Sequence, residues 1–186
     1  MNEAFRVVAA FCAMLERLGV RHLIGGSLAS SVHGVPRATQ DVDLVADLQP
    51  AHAKRLSELA RVEFHVDERA VESAISDVAS FNALHRETVF KVDVFVAGDD
   101  PWVVEELRRA RIVEIPDVGR LPFASVEDVV LHKLRSYDEG GRISERQWRD
   151  VVGMIAVHGD DLDREHLDRW TDHLGIRELL ESALDS

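Results

Sequence analysis

The sequence predicts an α/β (α+β) protein: a mixed sheet with flanking helices over residues 1–122, then a helical part over residues 123–186 packed on the same core. Three observations carry this. Before residue 122, short apolar runs bounded by glycine and proline alternate with segments of helical period. From Ser125 onward the period is helical throughout. Between these, Gly25-Gly26-Ser27 and Asp41-Val42-Asp43 are separated by thirteen residues, a turn and a strand joined by a short helix.

Phe5, Val8, Phe11, Leu15 and Leu18 recur at helical spacing and define a first amphipathic helix, which Gly19 stops. Val20 to Ile24 reads as a short buried strand ending at the glycine turn. Ser27 to His33 is a short helix capped by Gly34, and Pro36 makes residues 35–38 a loop. Asp41 to Ala46 is the second strand, with Val42 and Leu44 on one face and Asp41, Asp43 and Val45 on the other. Pro50 opens a helix reaching Ala60, the position where proline is tolerated.

A strand over Arg61 to His65 and a helix over Glu68 to Asp77 follow. Phe81 to His85 and Thr88 to Ala97 read as two strands joined by a tight turn. In the second, Phe90, Val92, Val94 and Val96 share an apolar face and Asp93 projects from the other. Asp100 to Arg109 is a helix and Arg111 to Ile115 a further strand. Ser125-Val-Glu-Asp128 has the form of a capping box. Helices from Ser144, over Asp163 to His173 and over Ile176 to Leu184 complete the chain, which has no internal repeat or low-complexity segment.

Composition narrows the function classes. A hydrophobic content of 46% with 30% charged residues is that of an ordinary globular protein. The formal net charge of -12 argues against a general nucleic-acid-coating surface, which would be basic. Cys12 is the single cysteine, so neither an intrachain disulfide nor a cysteine-based zinc site is available, and its position on the first helix makes it a core residue. The nine histidines show no metal-ligand spacing. Val7 to Leu15 lacks the basic flank of a signal segment and no run reaches membrane-spanning length, so a cytoplasmic location without membrane association is expected.

The chemistry concentrates at the turn and the paired aspartates. Strands disfavour aspartate, so Asp41 and Asp43 in one short apolar strand need a reason, and two carboxylates on one face suit a divalent cation. A Gly-Gly-Ser turn opening a helix offers free N–H groups and a hydroxyl, which suit phosphate; Ser27 as a plain N-cap is the bland alternative. Asp93 is either a third carboxylate of that site or an exposed strand residue paired with Lys91. Lys133 falls within the apolar stripe Val126, Val129, Val130, Leu134 and Tyr137, so it must snorkel outward or meet a buried negative partner.

The segment from Ile24 to Val45, with its Gly-Ser pair, spacer and Asp-x-Asp between apolar residues, resembles the opening motif of the DNA polymerase β-like nucleotidyltransferase superfamily. It is most similar to the small bacterial branch of abortive-infection and toxin-type nucleotidyltransferases. The resemblance implies transfer of a nucleoside monophosphate from an NTP to a hydroxyl acceptor with release of pyrophosphate, assisted by two Mg2+ ions (or Mn2+). It implies Asp41, Asp43 and Asp93 as catalytic metal ligands, Asp93 also as a general base, and Gly25, Gly26 and Ser27 as phosphate binders. Lys133, in a Glu-Asp-x-x-x-x-Lys-Leu setting, becomes a triphosphate contact, with a structural lysine as the alternative.

Asp150, which an arginine precedes as in the relatives, becomes a positioning residue of the nucleotide site. A solvated helix aspartate is the alternative, and Gly153 stands where many relatives carry a second acidic residue. On that helix Trp148, Val151, Val152 and Ile155 form one apolar face, and Asp150 lies opposite between Met154 and Val157. Arg37, in the loop before the carboxylates, is placed to reach a phosphate or ribose, with a solvated loop arginine as the alternative.

The acceptor implied is a tRNA or other RNA 3′ end, a protein, or a small hydroxylated molecule, and a cognate partner in a toxin–antitoxin pair is expected. The basic segment Arg142 to Arg149 follows the helix bearing Lys133 and suits one phosphate-bearing end. A catalytically silent nucleotide-binding or antitoxin-like module is the alternative function, although such a copy has no physical need for unpaired carboxylates. A phosphohydrolase is disfavoured by the lack of a His-Asp cluster.

Overall fold

The computed structural model describes residues 2–34, 36, 39, 41–88 and 90–186. The chain divides into two compact units: Met1–Leu28 with Ala38–Ala124, and Ala29–Arg37 with Ser125–Ser186.

The first unit contains α1 (Asn2–Arg17), β1 (His22–Ile24), the start of α2 (Gly26–His33), β2 (Asp41–Ala46), α3 (Ala53–Ala60), β3 (Phe64–His65) and α4 (Glu68–Asp77). It continues with β4 (Ser80–His85), β5 (Lys91–Val96), α5 (Pro101–Arg109), β6 (Arg111–Ile115) and β7 (Gly119–Phe123). Among the described residues seven strands form one sheet in the order β3-β4-β5-β2-β1-β7-β6. β5 pairs β2 in parallel, as does β1 with β7, and the other pairings are antiparallel, so the sheet is mixed.

Alternation along β2 and β5 decides which face is covered. Val42, Leu44 and Ala46 of β2 and Val92, Val94 and Val96 of β5 are buried, with Phe81 and Ala83 of β4 beside them. α1 and α4 pack on these strands, and Phe11 of α1 meets Phe64 edge-on at 5.2 Å between ring centres. Burying an aliphatic or aromatic side chain of this kind contributes about 1.5–3 kcal/mol. Cys12 lies in this core; burial, with Glu16 adding to it, pushes its thiol well above the usual range, so it acts as a small apolar residue.

Most elements stand where the sequence places them, and the differences have local causes. Pro50–His52 is a 3-10 turn ahead of α3, closed by i→i+3 bonds from His52 N–H to Gln49 O and from Ala53 N–H to Pro50 O. Residues 61–63 remain a turn, with Glu63 N–H bonded to Ala60 O, so β3 is only two residues long. β5 begins at Lys91, and the turn side of the expected longer strand includes Val89, outside the described residues. β7 is a strand that the sequence did not reveal. Gly119 and Pro122 both argue against one, yet Leu121 to Phe123 are buried and Phe123 pairs with Ile24.

The second unit holds the rest of α2 with α6 (Val126–Glu139), α7 (Glu145–His158), α8 (Arg164–Leu174) and α9 (Arg177–Leu184). Ser125 caps α6, accepting from Asp128 N–H at 3.2 Å and donating its hydroxyl to the Asp128 carboxylate at 2.6 Å. The other Asp128 oxygen lies 2.8 Å from His166 Nε2, and Glu127 accepts the Asp163 N–H at 2.9 Å, so α6 and α8 are joined by satisfied buried polar groups. α7 buries Val151, Met154 and Ile155, whereas Val157 is exposed; the covered arc therefore runs on Asp150's side only as far as Met154.

Candidate active site

The β2–β5 register builds the site. In this parallel pair Asp43 stands directly beside Asp93, and Asp41 beside Lys91, all on the face opposite the core. Neighbouring strands lie about 4.8 Å apart, so the Asp43 and Asp93 side chains rise next to one another. Lys91 Nζ meets Asp93 Oδ2 at 2.8 Å. That hydrogen bond, reinforced by the charges of Asp93, Asp41 and Asp43, raises the lysine above its ordinary value. Among the described residues no three His, Cys, Asp or Glu side chains are gathered closely enough to share an ion as they stand.

Around the carboxylates lie residues to which the sequence reading gave no role. Thr39 donates its hydroxyl to Asp41 Oδ1 at 3.0 Å and to the Asp41 carbonyl at 2.8 Å, which fixes the entry to β2. Asn82 of β4 is the register partner of Asp93 on its other side and is exposed. The spacing Thr-x-Asp, a short hydroxyl two residues before a carboxylate, is the signal that would have found Thr39.

The glycine turn meets the same strand. Gly25 N–H bonds the Asp43 carbonyl at 2.9 Å, continuing the β1–β2 ladder into the turn. Gly26 begins α2 with a φ of +57°, and a side chain there would collide with the Asp43 carboxylate. This close approach explains the second glycine physically: only a residue without Cβ lets Asp43 lie against the start of the helix. Ser27 follows in the first turn of α2. Gly25, Gly26, Ser27, Asp41, Asp43 and Asp93 thus all belong to the first unit. Arg37 lies outside the described residues.

Lys133 and Asp150 belong to the second unit and meet there. Lys133 is 4% exposed, inside the stripe of α6 as its spacing demands, and its ammonium donates to Asp150 Oδ2 at 2.8 Å and Gln147 Oε1 at 3.0 Å. Gln147 and Asp150 are three residues apart on α7, so both reach one point. Gln147 escaped the sequence reading; a buried lysine's need for several acceptors was the available signal. Tyr137 and Trp148 pack beside this pair of helices with ring centres 5.4 Å apart. Arg146, Trp148, Arg149, Asp150 and Gly153 border a cavity of about 700 Å³ in the same unit.

The seven-stranded mixed sheet with its flanking helices matches the polymerase β-like nucleotidyltransferase fold. An antigenic nucleotidyltransferase-like protein from Paracoccidioides brasiliensis superposes with a TM-score of 0.58 at 19% identity, over 98% of this chain and 93% of that one. The antibiotic-resistance factor ANT(2'')-Ia does so in solution with a TM-score of 0.59 at 10% identity, over 97% and 98% of the two chains. Its crystal structure with adenylyl-2"-tobramycin gives 0.57 at 13% identity, over 91% and 97%. No curated protein sequence matches the chain.

The family follows from the sequence itself. Residues 22–184 match the nucleotidyl transferase AbiEii toxin family of type IV toxin–antitoxin systems, and the chain belongs to that family. Among the described residues no helix is long and apolar enough to cross a membrane.

Proposed function

We propose that this chain is the toxin of a toxin–antitoxin pair and transfers a nucleoside monophosphate from an NTP to a hydroxyl acceptor, releasing pyrophosphate. The observation that carries the reading is the side-by-side placement of Asp43 and Asp93, with Asp43 laid against Gly26 at the start of α2. Membership of a nucleotidyltransferase family supports it.

The donor set is made of carboxylate oxygens, which suits a hard divalent cation such as Mg2+, and the cluster already draws a positive group, the Lys91 ammonium. Asp41, Asp43 and Asp93 are the residues that would hold the ions. Such cations, held there, would supply charge neutralisation of the triphosphate and acidification of the attacking hydroxyl. The chain's own groups do the rest. The N–H groups of Gly26 and Ser27 and the positive end of α2 bind the β- and γ-phosphates, with Gly25 shaping the turn. Asp93 accepts the proton of the acceptor hydroxyl. Thr39 holds Asp41 in orientation. The assignment of Lys133 to the triphosphate, with Asp150 as its positioning partner and Arg37 as a phosphate or ribose contact, rests on the family resemblance.

ANT(2'')-Ia has been crystallised in complex with adenylyl-2"-tobramycin; for this chain an RNA 3′ end, a protein and a small molecule are distinguished by experiment. Incubating the protein with each labelled NTP, Mg2+ and either total cellular RNA or lysate identifies the labelled fraction. Label in one fraction with a preferred NTP is the expected result. No label with any NTP in any fraction overturns the reading in favour of a silent nucleotide-binding module.

A further inference from the structure

We propose that Lys91 is a resident counter-ion of the carboxylate site that yields its place to an arriving divalent cation, and so sets how tightly this chain holds that cation. The inference deepens the nucleotidyl-transfer reading above and rests on it. Lys91 stands beside Asp41 in the β2–β5 register and two residues before Asp93 on the same strand face. Its ammonium is 2.8 Å from Asp93 Oδ2. Three carboxylates on two adjacent strands repel one another, and the Lys91 ammonium relieves part of that repulsion.

The two partners differ in how they are held. The Asp93 side chain is 16% exposed and stands beside Asp43 in the register, whereas that of Lys91 is 43% exposed, on a flexible stem whose ammonium can reach water. The ammonium takes one lone-pair site of Asp93 Oδ2 and sets a positive charge beside the others. A divalent cation bound at Asp93 competes with the Lys91–Asp93 bond and repels the ammonium toward solvent. Lys91 thus acts on affinity without touching substrate: it is a positioning residue that trades apo stability against cation binding.

The test measures Mn2+ binding to the full chain without nucleotide, by electron paramagnetic resonance or calorimetry, alongside melting with and without Mn2+. Removing the bond and a nearby positive charge makes Lys91→Met bind Mn2+ about tenfold more tightly than wild type. Lys91→Met also melts lower than wild type without the cation and gains more from its addition. Lys91→Arg keeps the charge and stays near wild type, and Lys54→Met, at an exposed position of α3, changes neither readout. Equal or weaker Mn2+ binding by Lys91→Met, with wild type binding normally, overturns the counter-ion role and leaves the nucleotidyl-transfer reading standing. Absence of Mn2+ binding in wild type, Lys91→Met and Lys91→Arg alike overturns both.

Discussion

Replacing Gly26 with alanine separates two costs that the fold keeps together. The first is conformational: at a φ of +57° an L side chain is disfavoured by about 1 kcal/mol. The second is steric. The added Cβ lies 2.5 Å from Asp43 Cγ and 2.8 Å from Asp43 Cβ, well inside the ~3.5 Å contact of carbon atoms. Overpacking of that kind costs a further ~1–3 kcal/mol. Gly26→Ala is therefore expected to destabilise by about 2–4 kcal/mol and to push Asp43 away from α2, weakening Mn2+ binding.

Two neighbouring glycines provide the comparison. Gly19 has a φ of +70° with nothing near its would-be Cβ, so Gly19→Ala measures the conformational cost alone, about 1 kcal/mol. Gly25 has neither constraint, and Gly25→Ala falls within about 0.5 kcal/mol of wild type. Equilibrium urea unfolding of the three variants checks the order. If Gly26→Ala costs no more than Gly19→Ala, Asp43 does not rest against the turn, and the explanation for the second glycine fails.

Asp150→Asn removes the carboxylate charge 2.8 Å from the Lys133 ammonium, whose side chain is 5% exposed, and is expected to cost about 3 kcal/mol in urea unfolding; a loss below ~1 kcal/mol contradicts a buried ion pair that contributes to stability. His22 is buried, with Nδ1 2.9 Å from Val20 O, and burial lowers it from its ordinary 6.5. The unfolded chain therefore binds a proton first: this stability is fully present above pH 6.5 and is lost as pH falls below it, by up to ~1.4 kcal/mol per pH unit. His22→Leu removes that part of the slope, and an unchanged slope between pH 6.5 and 5.5 contradicts it. If the acceptor is RNA, Arg146→Glu, at the exposed edge of the α7 cavity, reduces RNA labelling with NTP binding unchanged and lowers the salt slope by about one contact; equal labelling excludes this segment.

The faces of β2 and β5 could be read from alternation alone, because Asp-Val-Asp and Lys-Val-Asp-Val-Phe-Val each put their carboxylates opposite their valines. Their parallel register, which sets Asp43 beside Asp93, could not: pairing between strands fifty residues apart is a tertiary choice with no local signature. β7 was hidden for the opposite reason. Its glycine and proline are local signals against a strand, and burial of Leu121 and Phe123 overrides them. Lys133 announced itself by standing in an apolar stripe, and the second acceptor, Gln147, became visible only when α6 and α7 were seen together. The Lys91–Asp93 pair was legible as the alternative to a catalytic Asp93, and it forms at 2.8 Å.

The central claim is that the face bearing Asp43 drives nucleotidyl transfer. NTPs labelled at either the α- or the γ-phosphate, incubated with acceptor and Mg2+, test it directly in wild type and in Asp43→Asn protein whose fold is verified by circular dichroism. The expected result is acceptor labelling from the α-phosphate only, with the γ-label released in pyrophosphate, and a loss of at least about a hundredfold in Asp43→Asn. Acceptor labelling from the γ-phosphate, or wild-type labelling by folded Asp43→Asn, would contradict it.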